Sequence, residues 1–374
     1  MFIRSLKLRN ILSFREPPPL ELRPLNILIG PNASGKSNLI DSVGLLQALP
    51  GSAGQYINDR GGAYNWIWRG RKRGKGEASI DCRLDLDRKP LVYEIAFAAV
   101  EQTFAIQRES LAGPKRSYLK RQGNNVEILP GSPGIVVLAA AESILSAYRN
   151  PSDPTPITAA ARALNGIRFY RGFQTGVRDD ARIGASSSGP KLPLEPDGSN
   201  LAVALHQLDF HGGLKHVKRQ LSRLSTRFSD IKVAFEGART QLYLEERGLG
   251  KISAIRLSDG TLRFLCLMAI LLDPDPAPLV CIEEPEIGLH PEALALVGDA
   301  LREASKRMQL VVTTHSDALV DRFTDEPEDI VVCERDFDES TSFRRLSGKQ
   351  LKGWLKEYTL GDLWRRGEIG GTQR

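Results

Sequence analysis

Hydrophobic and polar positions along the chain fall into blocks of distinct period. Near the start, Ile3–Leu8 and Leu20–Leu22 predict two short strands around an Asn-Ile-Leu-Ser-Phe turn, and the mostly apolar run Leu25–Ile29 predicts a third. Apolar Leu39, Ile40, Val43 and Leu46 then recur at helical spacing, predicting an amphipathic helix directly after a Gly-bounded loop. Residues 79–111 alternate in strand fashion and predict an antiparallel flap, 135–165 read as helical, and Arg168-Phe169-Tyr170 reads as a return to the sheet. The polar stretch Gly172–Ser199 has no period and predicts a loop, and Ser199 to about Phe228 is helical again. A helical pattern follows Gly260, and Leu279–Ile282 and Leu310–Thr313 predict two short buried strands.

Composition narrows the class. The 374 residues are 41% hydrophobic and 26% charged, as in a globular chain able to bury a substantial core. No run approaches the ~18 apolar residues of a membrane span, and the N-terminal residues interleave charge with apolar residues. The expectation is a cytoplasmic protein with no membrane partner. Cys82, Cys266, Cys281 and Cys333 lack metal-ligand spacing, and reduced structural thiols are expected. A net charge of +6 permits polyanion binding without requiring it.

Three segments carry candidate chemistry. Gly30-Pro31-Asn32-Ala33-Ser34-Gly35-Lys36-Ser37, followed by Asn38, matches G-x-x-x-x-G-K-[ST], with a strand before it and a helix after it, as that motif requires. Its glycines let backbone N–H groups curl around phosphate oxygens, and the helix N-terminus adds partial positive charge. In such a loop Lys36 reaches the β- and γ-phosphates of ATP, and Ser37 ligates Mg²⁺. The strand Leu279–Ile282 delivers Glu283 and Glu284 to its carboxyl end, where open parallel sheets place their ligands. That is the pattern of a Walker B strand, with Glu283 beside the metal and Glu284 as base for the attacking water. His315 lies just beyond the next short strand, in reach of a γ-phosphate oxygen if that strand returns to the same edge.

Two basic stretches are ambiguous. Gly51–Gly76 is rich in Gly and Arg and holds Trp66 and Trp68 beside the run Arg69–Lys75; Lys215–Arg227 carries five Lys or Arg. Either contacts DNA or is an ordinary solvated surface.

Together these segments resemble the ABC-type ATPases of the SMC and RecF class, most closely small bacterial AAA-family ATPases related to the ATPase part of OLD proteins. The resemblance runs through the turn at 10–14, the P-loop, Leu257-Ser258-Asp259-Gly260-Thr261, Glu283–Pro291, Thr313–Val320 and Leu360–Gly371. It implies an α/β P-loop head with an antiparallel β flap and a compact helical insertion. It also implies that Ser258, Asp259 and Gly260 form the signature segment, contacting ATP held by a second subunit of a head-to-tail homodimer. Two departures stand out: ABC proteins usually carry LSGGQ where this chain has Asp259, and Asp where it has Glu283. A Q-loop glutamine is unassigned among Gln102, Gln107 and Gln122.

The expected organisation is an N-terminal ATPase lobe at 1–135, a helical insertion at 136–250 and a C-terminal lobe at 251–374. About 240 residues separate Ser37 from Pro278, too few for the long coiled coil of SMC proteins. The 59 residues after His315 leave no room for the nuclease of OLD proteins, so a separate effector protein is expected. Two functions stay open: an ATPase (catalytic Lys36, Glu284 and His315; cofactors ATP and Mg²⁺) that drives a partner in DNA metabolism or antiviral defence, or a slow nucleotide-gated scaffold.

Overall fold

The computed structural model describes residues 2–70, 76–86, 88–129, 136–148, 150, 152–153, 155–189 and 192–370. The chain is mixed α/β and divides into two compact units, one of residues 1–167, 331–346 and 369–374, the other of 168–330 and 347–368.

The first unit is dominated by an eight-stranded antiparallel sheet. Its order is Leu20–Glu21, Ile3–Arg9, Glu77–Leu86, Lys89–Val100, Thr103–Ala112, Ser117–Gln122, Asn125–Ile128, Val136–Val137. The alternation seen at 79–111 therefore belongs to a larger sheet that also takes in the N-terminal strands. Its middle strands bury Ile80, Cys82, Tyr93, Ile95 and Phe97. The strand Leu25–Ile29 is buried at every position, matching its sequence reading residue for residue. The helix after the P-loop, Lys36–Ala48, is less amphipathic than its spacing implies, because Ser42, Gly44 and Leu45 are buried along with Leu39, Ile40, Val43 and Leu46. A helix with apolar contacts on most sides is a core element. A hairpin of Ile330–Arg335 and Thr341–Arg345 completes this unit.

Several local readings change. Between 51 and 70 the chain forms two short helices, Ala53–Asn58 and Ala63–Trp66, and Trp66 and Trp68 are buried. Among the described residues of 135–165 only Ile144–Ala147 and Ile157–Asn165 are helical, and Val136–Val137 is a strand.

The second unit contains three parallel strands in the order Arg168–Tyr170, Leu279–Glu283, Gln309–Thr313. Register pairs Tyr170 with Ile282 and Glu283 with Thr313, so the ends of all three strands come level. The helix Asp259–Leu271 buries almost every residue from Leu262 onward. Helices Leu201–Phe210 and Leu214–Leu224 occupy the expected helical segment. They are followed by an antiparallel sheet of Phe228–Glu236, Arg239–Glu246 and Gly250–Ser253, joined by Ala185–Ser186. The supposed loop 172–199 thus holds a short strand and a helical turn, Asp180–Ile183. Near the C-terminus, Thr359 and Asp362 form a capping box on Leu360–Arg365, whose Gly361 N–H donates to Asp321 Oδ1 at 2.7 Å.

Candidate nucleotide site

In the first unit the chain leaves the buried strand at Ile29 and turns through Gly30–Gly35 into the helix at Lys36. The turn requires left-handed backbone at Ala33 (φ 62°) and Gly35 (φ 102°). Gly35 is the stringent position: a Cβ there would stand 2.2 Å from Thr341 Oγ1 and 2.8 Å from Ser13 Oγ. Those two side chains buttress the loop. Thr341 Oγ1 lies 2.8 Å from Ser13 Oγ and 2.9 Å from the Ser34 carbonyl oxygen, tying the turn at 10–14 and the hairpin to the P-loop. Lys36 is buried, and its Nζ donates to the carbonyls of Gly30 (2.8 Å) and Pro31 (3.0 Å). A buried ammonium needs such acceptors, and the same position suits a phosphate oxygen. Ser34 Oγ is buried with no hydrogen-bond partner among the described residues, as in a loop built to receive an anion. The donor set therefore fits a nucleotide phosphate.

In the second unit the strand Leu279–Glu283, read from sequence as Walker B, ends at Glu283, and Glu284 takes φ 48°, an unusual backbone for a non-glycine residue. Hydrogen bonds hold it there: the Glu284 N–H donates to the Thr313 carbonyl at 2.9 Å. His315 Nε2 lies 3.6 Å from Glu284 Oε1, and the His315 N–H donates to Glu286 Oε1 at 2.6 Å. Strain held by surrounding bonds at a strand end is characteristic of working sites. Glu283 pairs with Arg171, whose Nε lies 3.0 Å from Oε1. Arg171 follows directly on the strand Arg168–Tyr170, the register neighbour of the Walker B strand. Ser37 in the first unit and Glu283 in the second each carry a hard oxygen donor of the kind Mg²⁺ accepts.

The segment read from sequence as the signature also lies in the second unit. Ser258 is the N-cap of Asp259–Leu271, accepting the Thr261 N–H at 3.1 Å. Gly260 packs against the turn after Glu286, where a Cβ would come 2.8 Å from the Gly288 carbonyl oxygen. This contact brings the signature helix and the Walker B turn together. Asp259 is ion-paired to the buried Arg182.

Sequence reasoning named the P-loop, Glu283, Glu284, Ser258, Asp259, Gly260 and His315, and missed Thr341, Arg171 and Arg182. Arg171 carried one usable signal, its place at the end of a strand. The three glutamines lie in the antiparallel sheet, Gln102 in a turn and Gln107 and Gln122 on strands. Of the basic stretches, residues 71–75 lie outside those described, and Arg69 packs over Tyr64 at 3.5 Å. On Lys215–Arg227, Lys218, Arg223 and Arg227 pair with Asp230, Asp299 and Glu246. All four cysteines are free and buried, and burial pushes the Cys333 thiol up to about 12.

A family model described as "AAA domain, putative AbiEii toxin, Type IV TA system" matches residues 25–124 and 164–321, more than half the chain and all three motif segments. The chain belongs to this AAA family. Among solved structures it is similar to an Smc head bound to the C-winged helix domain of ScpA, with TM-score 0.62, 13% identity, and 94% of this chain and 99% of that one covered. It is also similar to the SMC head domain from Thermotoga maritima (0.52, 14%, 93% and 100%). An Smc head with an extended coiled coil, bound to the C-terminal domain of ScpA derived from Pyrococcus furiosus, gives 0.56, 14%, 95% and 99%. At such identities the likeness establishes the fold, that of an ABC/SMC-type P-loop NTPase head. No curated protein matches the chain. The finer likeness to OLD proteins receives no support from these comparisons. Among the described residues no helix is long and apolar enough to cross a membrane.

Proposed function

We propose that the protein is an ATPase whose ATP-bound copies pair head to tail, and whose opening after hydrolysis drives or licenses a separate effector in DNA metabolism or antiviral defence. The observation that carries the hydrolytic reading is Glu284, held at a strained strand end with His315 at 3.6 Å. In this reading the Gly30–Gly35 amides and Lys36 bind the triphosphate. Glu284 accepts a proton from the attacking water, and His315 donates to a γ-phosphate oxygen and keeps the Glu284 carboxylate oriented. Mg²⁺, when bound through Ser37 and Glu283, neutralises charge on the phosphates. The longer reach of Glu283 relative to Asp suits contact through water.

Pairing is supported by what the signature segment leaves exposed. Ser258 faces solvent, and Ile255 and Ile287, on the two segments that meet at Gly260, are each about half exposed (51% and 50%). Exposed apolar side chains beside an anion-binding helix N-terminus suit a surface that closes on a second copy's phosphate. The scaffold reading is favoured by one feature: the Arg171 ion pair already engages the Glu283 carboxylate, which a metal must share or displace.

The test mixes two inactive variants. Ser258→Arg keeps its own P-loop, and Lys36→Ala keeps its own signature. A mixed dimer holds one interface with both parts intact, whereas neither homodimer does. ATPase recovered only on mixing supports shared sites; Ser258→Arg hydrolysing ATP normally alone removes them.

A further inference from the structure

Asp259 is the residue that sits least easily with a phosphate-binding signature. An acid in the first turn of a helix is favoured by the helix dipole, yet here it stands beside the hydroxyl and amides proposed to receive a triphosphate. The structure answers this with Arg182, from the segment whose sequence reads as featureless polar loop. Arg182 is only 6% exposed and commits all three of its nitrogens. Nε donates to the Thr175 carbonyl at 3.0 Å. Nη1 donates to the carbonyls of Ala254 (3.2 Å), Ile255 (3.0 Å) and Leu257, three of the four residues that lead into the signature. Nη2 donates to Asp259 Oδ1.

A guanidinium suits this task because its planar fork can satisfy several acceptors at fixed angles, which a lysine cannot. A buried cation also needs a counter-charge, and Asp259 supplies it. The pairing works in both directions. Arg182 draws the carboxylate back toward its own chain, and each carbonyl oxygen committed to Arg182 is one that does not face an incoming anion. What faces outward is the Ser258 hydroxyl, the positive end of a 13-residue helix and an Asp259 carboxylate that stays exposed but is paired to Arg182.

We infer that Arg182 is a positioning residue for the shared ATP site: it fixes the loop entering Ser258 and cancels the charge of Asp259, so that the segment accepts phosphate held by a second copy. Asp259 and Arg182 then replace jointly the small neutral residue found in the commoner signature. The inference rests on the shared-site reading above.

The experiment compares wild type, Arg182→Gln, Asp259→Asn and the double variant, with a non-hydrolysable ATP analogue. Binding of the analogue to monomer is followed by fluorescence and dimerisation by sedimentation. Arg182→Gln is expected to weaken analogue-dependent dimerisation tenfold or more, while the analogue still binds monomer through the P-loop. The loss should shrink as salt is added, because an uncancelled exposed carboxylate is screened. The double variant should regain most of the dimer, since removing the carboxylate performs the electrostatic half of Arg182's task. If the double variant stays as weak as Arg182→Gln, Arg182 only holds the fold and the inference fails. Should Arg182→Gln not fold, Asp259→Asn decides alone: tighter dimerisation supports the inference, and weaker dimerisation shows the carboxylate serving the partner, which overturns it. Ser258→Arg, run alongside, separates the two levels. If it dimerises like wild type the shared-site reading fails; if it does not and Arg182→Gln does, only the role of Arg182 fails.

Discussion

Gly35→Ala tests the P-loop and its buttress together. The backbone at Gly35 has φ 102°, where an L side chain costs roughly 1–3 kcal/mol. The new methyl would also stand 2.2 Å from Thr341 Oγ1, and forcing it into packed surroundings adds about 1–3 kcal/mol. The expected destabilisation of the first unit is therefore about 2–6 kcal/mol, a fall in Tm of at least about 4 °C for a unit of this size. Thr341→Ala alone loses its contacts to Ser13 and the Ser34 carbonyl, at about 1 kcal/mol each. In the double variant the clash with Thr341 is gone, and the 2.8 Å approach to Ser13 Oγ, the backbone strain and the lost bonds remain. A double-mutant cycle should thus give a coupling of about 1–3 kcal/mol, read from urea unfolding of nucleotide-free protein, where no ligand adds stability. Effects that add to within about 0.5 kcal/mol would mean that Gly35 and Thr341 do not meet, and the account of the buttress would be wrong.

Other expectations follow from the same geometry. Glu284→Gln should bind ATP as before and lose turnover by about 10²- to 10⁴-fold, since an amide cannot take the water's proton; a wild-type rate would place the base elsewhere. Native protein should react negligibly with Ellman's reagent at pH 8 and yield four thiols on unfolding, because buried thiols pushed up in pKa hold almost no thiolate; fast native labelling of any of them contradicts that burial. Any nucleic-acid affinity carried by the helix Leu214–Leu224 should be shallow in salt. Among the described residues Lys215 and Arg219 have no carboxylate partner, so reversing both to Glu should change the duplex-DNA salt slope by no more than about 1.8; a larger change would mean the ion pairs of Lys218 and Arg223 open on binding.

What the sequence disclosed was what short range determines. The P-loop needs glycines, Lys36 and a strand-to-helix step within a few residues, and the Walker B strand needs four apolar residues before its carboxylates. Ser258 was readable for the same reason, since a helix cap and its amide lie three residues apart. Thr341 was not, because it meets Ser13 across 328 positions and has nothing unusual beside it in the chain. Arg182 lies 77 positions from Asp259 in a stretch without period, and such a stretch gives no sign that one of its cations is buried. The strands Phe228–Glu236 and Arg239–Glu246 are a different failure: Arg239–Glu246 alternates buried and less buried positions along its length, and expecting helices there hid a pattern that was present. Beside Trp66 and Trp68 the sequence left a DNA contact and a solvated surface both open, and neither reading anticipated that the two rings are buried, because a basic run says nothing about the packing of its aromatic neighbours.

The buttress also constrains how the protein is made. Thr341 lies 307 residues beyond Ser34, whose carbonyl it holds. At about 5–20 residues per second, a ribosome needs roughly 15–60 s to travel that distance. Throughout that interval the nascent chain carries a complete P-loop motif with no hairpin behind it, and Phe14 beside Ser13, which packs against Phe343 of the hairpin, stays uncovered. ATP in the cell therefore meets a loop unable to hold its final shape until the hairpin has emerged. Synthesis that pauses or is cut short before the hairpin emerges should leave a chain with every P-loop residue in place and no working cradle, a substrate for chaperones and proteases.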